Sequence, residues 1–148
     1  MNKEITFGDF NPEHSYQERE GAYGIVFQGN LVLIEKAQLG YFLPGGGLEE
    51  GETPEAALQR EFKEETGYEL VSYTKLGTGV EYREELKKIG HFYLVELGEK
   101  GQPTYDDGHV FPVEWTAYDA ALDGMHLASQ KWAILEALDF LQATQASI

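Results

Sequence analysis

Three glutamates, Glu61, Glu64 and Glu65, follow one another at spacing i, i+3, i+4. On a helix that spacing puts all three on one face, where like charges cost a few tenths of a kcal/mol per pair. A hard divalent cation held by carboxylate oxygens removes that repulsion. A solvated acidic face is the plainer reading of three glutamates alone. The surrounding residues supply the helix. Thr53 is a good N-cap, Pro54 suits the first helical position and Gly67 suits the stop, which predicts a helix over residues 54 to 66. Leu58 and Phe62 define its buried stripe, with small Ala57 on the same side leaving room for a loop to approach. Ahead of it, Gly45, Gly46 and Gly47 carry no side chains and allow positive φ and close approach of another group.

Read together, these residues fill the pattern G-x5-E-x7-R-E-U-x-E-E-x-G-U, where U is bulky and apolar. Its positions are Gly46, Glu52, Arg60, Glu61, Phe62, Glu64, Glu65, Gly67 and Tyr68. The stretch resembles the box of the Nudix hydrolase family at all seven fixed positions, with aromatic Phe62 and Tyr68 where aliphatic residues are usual. Seven fixed residues at fixed spacing, in a loop-then-helix context, are far more specific than a lone glycine motif.

The resemblance implies an α/β (α+β) fold, a Nudix-type α/β/α sandwich with a mixed β-sheet and a loop–helix–loop box. It implies hydrolysis of the pyrophosphate linkage of a nucleoside diphosphate derivative with Mg2+ or Mn2+. That class takes in nucleoside triphosphates, dinucleoside polyphosphates, ADP-ribose and nucleotide sugars. By matching positions, Glu61, Glu64 and Glu65 would hold metal, joined by a backbone carbonyl at Gly46. Glu61 or Glu64 would accept the proton of the attacking water. Glu52 and Arg60 match a pair that locks the loop to the helix, and Gly45 and Gly67 are structural. An alternative is a non-catalytic Nudix module that binds a nucleotide and regulates a partner; such modules often lose box carboxylates, and all are present here. Isoprenoid diphosphate isomerisation would normally need a cysteine near the site, and the chain has none.

The 148 residues suit one domain spanning 1 to 148. Hydrophobic residues at 42% mark a globular chain. Without cysteine there is no disulfide, thiol catalysis or cysteine metal site, which is compatible with a reducing cytosol. Residues 1 to 10 lack the apolar core of a secretion signal and no stretch reaches the length of a membrane span, so the expected setting is cytoplasmic. The net charge of −15, from 26 acidic and 11 basic residues, repels nucleic acid and anionic membranes. It repels a small phosphorylated substrate too unless cations accompany it, so it fits a metal–phosphate partner better than a bare polyanion, while most of these charges serve solubility.

The remaining pattern positions the box. Residues 5 to 7 read as a short strand. Residues 21 to 28 and 31 to 36 read as a hairpin across Gly29-Asn30. Residues 69 to 82 read as a strand bent at Gly77 and Gly79, residues 83 to 88 as a charged turn, and 89 to 97 as a strand. A loop over 98 to 104 follows, then a strand over 110 to 116 pushed towards an edge by Pro112. Thr116 caps a short helix broken at Gly124. A last helix over 128 to 141 carries Trp132, Leu135, Leu138 and Leu141, with Ala133 and Ala137 between. Other residues fit bland roles: Asp106 and Asp107 a turn, Arg19 a surface ion pair, Tyr41, Phe42 and Trp132 core, and His91, His109 and His126 packed or surface positions.

Overall fold

The computed structural model describes residues 3–103 and 112–146. In chain order its elements are β1 (Lys3–Phe7), β2 (Gln17–Ile25), β3 (Phe27–Gln28), β4 (Leu31–Ala37), β5 (Gly40–Phe42) and β6 (Gly45–Gly47). They continue with α1 (Pro54–Thr66), β7 (Tyr68–Arg83), β8 (Leu86–Lys100), β9 (Val113–Ala117), α2 (Tyr118–Gly124) and α3 (Ala128–Ala146). One sheet runs β1-β7-β8-β2-β6, with β1–β7 and β2–β8 parallel and the other neighbours antiparallel. A second sheet runs β3-β4-β5, with β9 on the other edge of β4.

The apolar run 21–28, read as one strand, divides at Val26. Its first part joins the larger sheet, and only Phe27 and Gln28 form the expected hairpin with β4 across Gly29, whose φ is +62°. Ala22 and Ile25 face opposite sides and both are fully buried. β2 therefore has a core on each face, which is why it reads as a continuous apolar run. On one side Ala22, Val26, Leu33, Tyr93 and Val95 pack against Ala57, Leu58 and Phe62 of α1. On the other, Ile25, Val32, Ile34 and Phe92 pack against α2 and α3.

Thr53 caps α1 through its Oγ1, which accepts the Ala56 N–H at 3.2 Å, and Gly67 closes it at φ +80°. Leu58 and Phe62 are wholly buried, each contributing about 1.5–3 kcal/mol. The charged turn at 83–88 is tighter than its composition suggests, because β8 resumes at Leu86 and Glu84 itself takes φ +54°. β8 also extends to Lys100, so the expected loop starts later. Register shifts at Lys75/Gly77 mark an irregularity in β7, where a side chain on Gly77 would meet Trp132. Thr116 is no helix cap: it lies buried in β9, its hydroxyl donating to Glu114 O, and α2 has no side-chain cap.

The last helix buries a different face from the one its leucines suggest. Gln130, Ala133, Ile134 and Ala137 are buried, Trp132 packs on Phe7 and Phe92, and Leu135 is 44% exposed. No helix among the described residues is long and apolar enough to cross a membrane. Asp106, Asp107 and His109 lie outside the described residues.

Candidate active site

Gly46 brings α1 against the larger sheet. It pairs with Ala22 at the edge formed by β6, and a Cβ on it would lie 2.6 Å from Cδ of Glu61 and 2.8 Å from both carboxylate oxygens. The missing side chain is the space that Glu61 occupies. Gly45 takes φ +139°, and its N–H donates to Glu65 Oε1 at 3.0 Å. Of the three glycines, Gly45 is the one that uses positive φ; Gly46 supplies close approach.

Arg60 ties this strand to the helix. Its Nε and Nη2 donate to the two carboxylate oxygens of Glu52 at 2.8 and 2.9 Å, a bidentate pairing that fixes both planes. Nη2 also donates to Gly47 O at 3.0 Å. Nη1 reaches Glu61 at 2.9 Å and Glu64 at 3.3 Å. The glutamate face is therefore not purely repulsive, since one guanidinium lies between two of its carboxylates.

The Arg60 hydrogen bond, then the Glu49 N–H, hold Glu52 down at about 2 from an ordinary 4.5. A carboxyl whose pKa is depressed by folding stabilises fully above the unfolded value, and that contribution is lost as pH falls through the folded one. Thermal melts from neutral pH down to about 2 should show wild type losing its advantage over Glu52→Gln below pH 4.5. A constant gap over that range would show that the pairing gives no net stability.

Glu65 faces a partner that the box pattern does not contain. Glu35 of β4 is hydrogen-bonded to it, and burial of the pair, with Glu61 nearby, raises both carboxyls above the ordinary range. Two such carboxyls share a proton when no cation is present. Tyr23 beside them is pushed up to about 12, chiefly by burial and then by Glu65. Glu35 escaped the sequence reading because a glutamate followed by Lys36 near a strand end looks like an ordinary exposed terminus.

Among the described residues, no group of three acidic or imidazole side chains is already gathered closely enough to hold a metal ion. The donors nonetheless suit a hard cation: carboxylate oxygens converge on a glycine-lined strand, and the buried Glu35–Glu65 pair has a charge to neutralise. The other candidates separate from this cluster. His91 Nε2 is 2.6 Å from Glu20, and the His126 ring lies against Phe42. Tyr41 packs on the core under Lys36. Arg19 makes no ion pair with any described residue.

This arrangement, a glutamate-bearing helix locked by arginine onto a glycine strand at the edge of the larger sheet, defines a class. A family model, NUDIX domain, matches residues 17–137, and the chain belongs to that family. Similar solved structures include a NUDIX hydrolase from Nitrosomonas europaea, at 17% identity and TM-score 0.71, covering 83% of this chain and 90% of that one. A MutT NUDIX hydrolase from Burkholderia pseudomallei is similar at 23% identity and TM-score 0.64, covering 81% and 98%. A structure described as an ADP compounds hydrolase is similar at 16% identity and TM-score 0.70, covering 85% and 74%. At these identities the likeness shows the fold. None of the curated proteins compared matches the chain. The family match together with the hydrolase neighbours supports an enzyme of the Nudix pyrophosphohydrolase class.

Proposed function

We propose that residues 1–148 form one domain that hydrolyses the pyrophosphate linkage of a nucleoside diphosphate derivative, using Mg2+ or Mn2+, in the cytoplasm. The observation that carries this reading is the seating of Glu61 in the space left by Gly46, with Glu65 bonded to the Gly45 N–H. Glu61, Glu64 and Glu65, with the carbonyl of Gly46, are the oxygen donors that would hold the metal. When bound, the metal neutralises pyrophosphate charge and lowers the pKa of water.

The chain's own residues do the rest. Arg60 fixes the separation of Glu61 and Glu64, and its bonds to Glu52 and Gly47 keep the glycine strand in register with the helix. Glu61 or Glu64 accepts the proton released by the attacking water. Glu35 adds a further carboxylate beside Glu65. A binding module without turnover is the second reading. It draws on the engagement of both Glu61 and Glu64 by Arg60, which competes with metal for their oxygens.

A product screen over nucleoside triphosphates, dinucleoside polyphosphates, ADP-ribose and nucleotide sugars separates the two. Hydrolysis that needs Mg2+ or Mn2+ is expected; binding without turnover on every substrate would favour the module. In parallel, Mg2+ at about 100 times its dissociation constant should stabilise the fold by roughly 2.7 kcal/mol. NaCl matched in ionic strength should not reproduce that shift.

A further inference from the structure

We propose that the cleft beside the carboxylates holds a second anionic group of the substrate, a phosphoryl group beyond the scissile pyrophosphate, at a subsite made by Arg19 and Lys88. The position of the pyrophosphate rests on the hydrolase reading above. The subsite itself rests on the cleft.

Two cavities of about 490 and 450 Å³ flank the glycine strand and share Tyr23, Lys88, Leu127 and Gln130 in their walls. One end is acidic, with Glu35 beside Gly45 and Gly46. The other is lined by Glu18, Arg19, Glu20 and Lys88; Arg19 and Lys88 share the Tyr23 face of the sheet, which makes that face the basic end. They are direct cross-strand partners in the β2–β8 ladder, so they sit side by side.

Neither forms an ion pair with a described residue. The acidic groups nearest in register are committed elsewhere. Glu81, across from Lys88 on β7, is buried, accepts the Ser129 N–H at 2.9 Å and pairs with Arg83. Glu20 is bonded to His91. Alternation along β2 puts Glu18 and Glu20 on the Ala22 face, opposite the Arg19 and Tyr23 face.

Between the two ends stands Gln130, 2% exposed. Its Oε1 accepts the Leu43 N–H at 2.8 Å, which assigns the amide orientation. Nε2 thereby remains as a donor, with no hydrogen bond to a described residue, in a side chain that lines both cavities. From Gln130 to Arg19 the cleft thus offers donors to an acceptor-rich ligand. Arg19 lies three residues along β2 from Ala22, the partner of Gly46, a span of about 10 Å. A ligand with only the cleaved pyrophosphate leaves the basic end empty. One with a further phosphoryl group, at the end of a longer polyphosphate or esterified to the ribose, reaches it.

The test is equilibrium binding in Mg2+ to adenosine ligands that contain no cleavable pyrophosphate. AMP is the reference. Adenosine 2′,5′-bisphosphate and 3′,5′-bisphosphate probe the ribose ester, and a bis-methylene analogue of ATP probes the longer chain. At least one should bind about tenfold tighter than AMP, the scale of a charge-assisted contact. That ratio should fall to about one in Arg19→Gln/Lys88→Gln, with AMP affinity unchanged, and should survive in Arg19→Lys/Lys88→Arg. The arm that shows the preference identifies the source of the phosphoryl group. Equal affinity for all four ligands, a preference that persists in the Gln double variant, or loss of AMP binding itself would each overturn the subsite. These titrations need no turnover. Failure of the product screen with the preference intact removes the hydrolase reading alone, and turnover without the preference removes the subsite alone.

Discussion

Glu64→Gln should lower turnover on the order of 100-fold or more, the scale expected when a group that stabilises transition-state charge is lost. The substitution keeps the shape and removes one charge. Glu64 lies on the face it shares with Glu61, and both touch Arg60 Nη1. Without metal the variant should differ from wild type by only a few tenths of a kcal/mol. Relief of glutamate repulsion is offset there by loss of the Arg60 contact, which charge counting along the helix alone would have missed. In Mg2+ it should gain less stability than wild type, because a donor is weakened. Turnover and melting temperature measured on the same samples decide the matter. Wild-type turnover in the variant would remove Glu64 from the chemistry and leave the acidic face a solvated one.

Phe62→Ala should cost about 3–5 kcal/mol of folding stability, a large share of the 5–15 kcal/mol typical of a domain. The ring is wholly buried in the cluster that joins α1 to the sheet. It fills the space above Gly24, where a Cβ would lie 2.6 Å from the ring and 2.8 Å from Val95, so the glycine supplies no side chain to close the gap. Because Phe62 adjoins Glu61 in sequence, loosening it should also displace the carboxylates. Denaturant titration of the variant, with Phe62→Leu as the milder comparison, measures the cost. A loss below about 1 kcal/mol would mean that this side of the core collapses around the gap.

The box helix was legible because its determinants are local. Thr53, Pro54 and Gly67 set its ends through bonds within a few residues, and Leu58 and Phe62 set its buried face. The α/β class, a mixed sheet with helices on its faces, was legible through the family resemblance; the division of the strands into a mixed and an antiparallel sheet was not. What stayed hidden depends on distant partners. Glu35 meets Glu65 only because β4 and α1 come together in three dimensions. Gln130 is polar on a buried face, and its partner Leu43 lies 87 residues away. The last helix misled for a geometric reason. Residues recurring at i, i+3, i+6, i+9 drift about 60° per step, so Trp132 and Leu141 end on opposite sides, and the small Ala133 and Ala137 mark the packed face.

Gly21, Gly90 and Gly79 are cross-strand neighbours in one row over β2, β8 and β7. The row is where two rings lean back along their strands: a Cβ on Gly21 would lie 2.7 Å from the Tyr23 hydroxyl, and one on Gly90 2.6 Å from the tip of Phe92. The depth of the cleft is therefore written in hydrogen atoms. A single methyl at Gly90 would tip Phe92 outward and make the floor shallower, with none of the carboxylates altered. Ligand size can thus be graded by the smallest available substitution, at positions that carry no functional group at all.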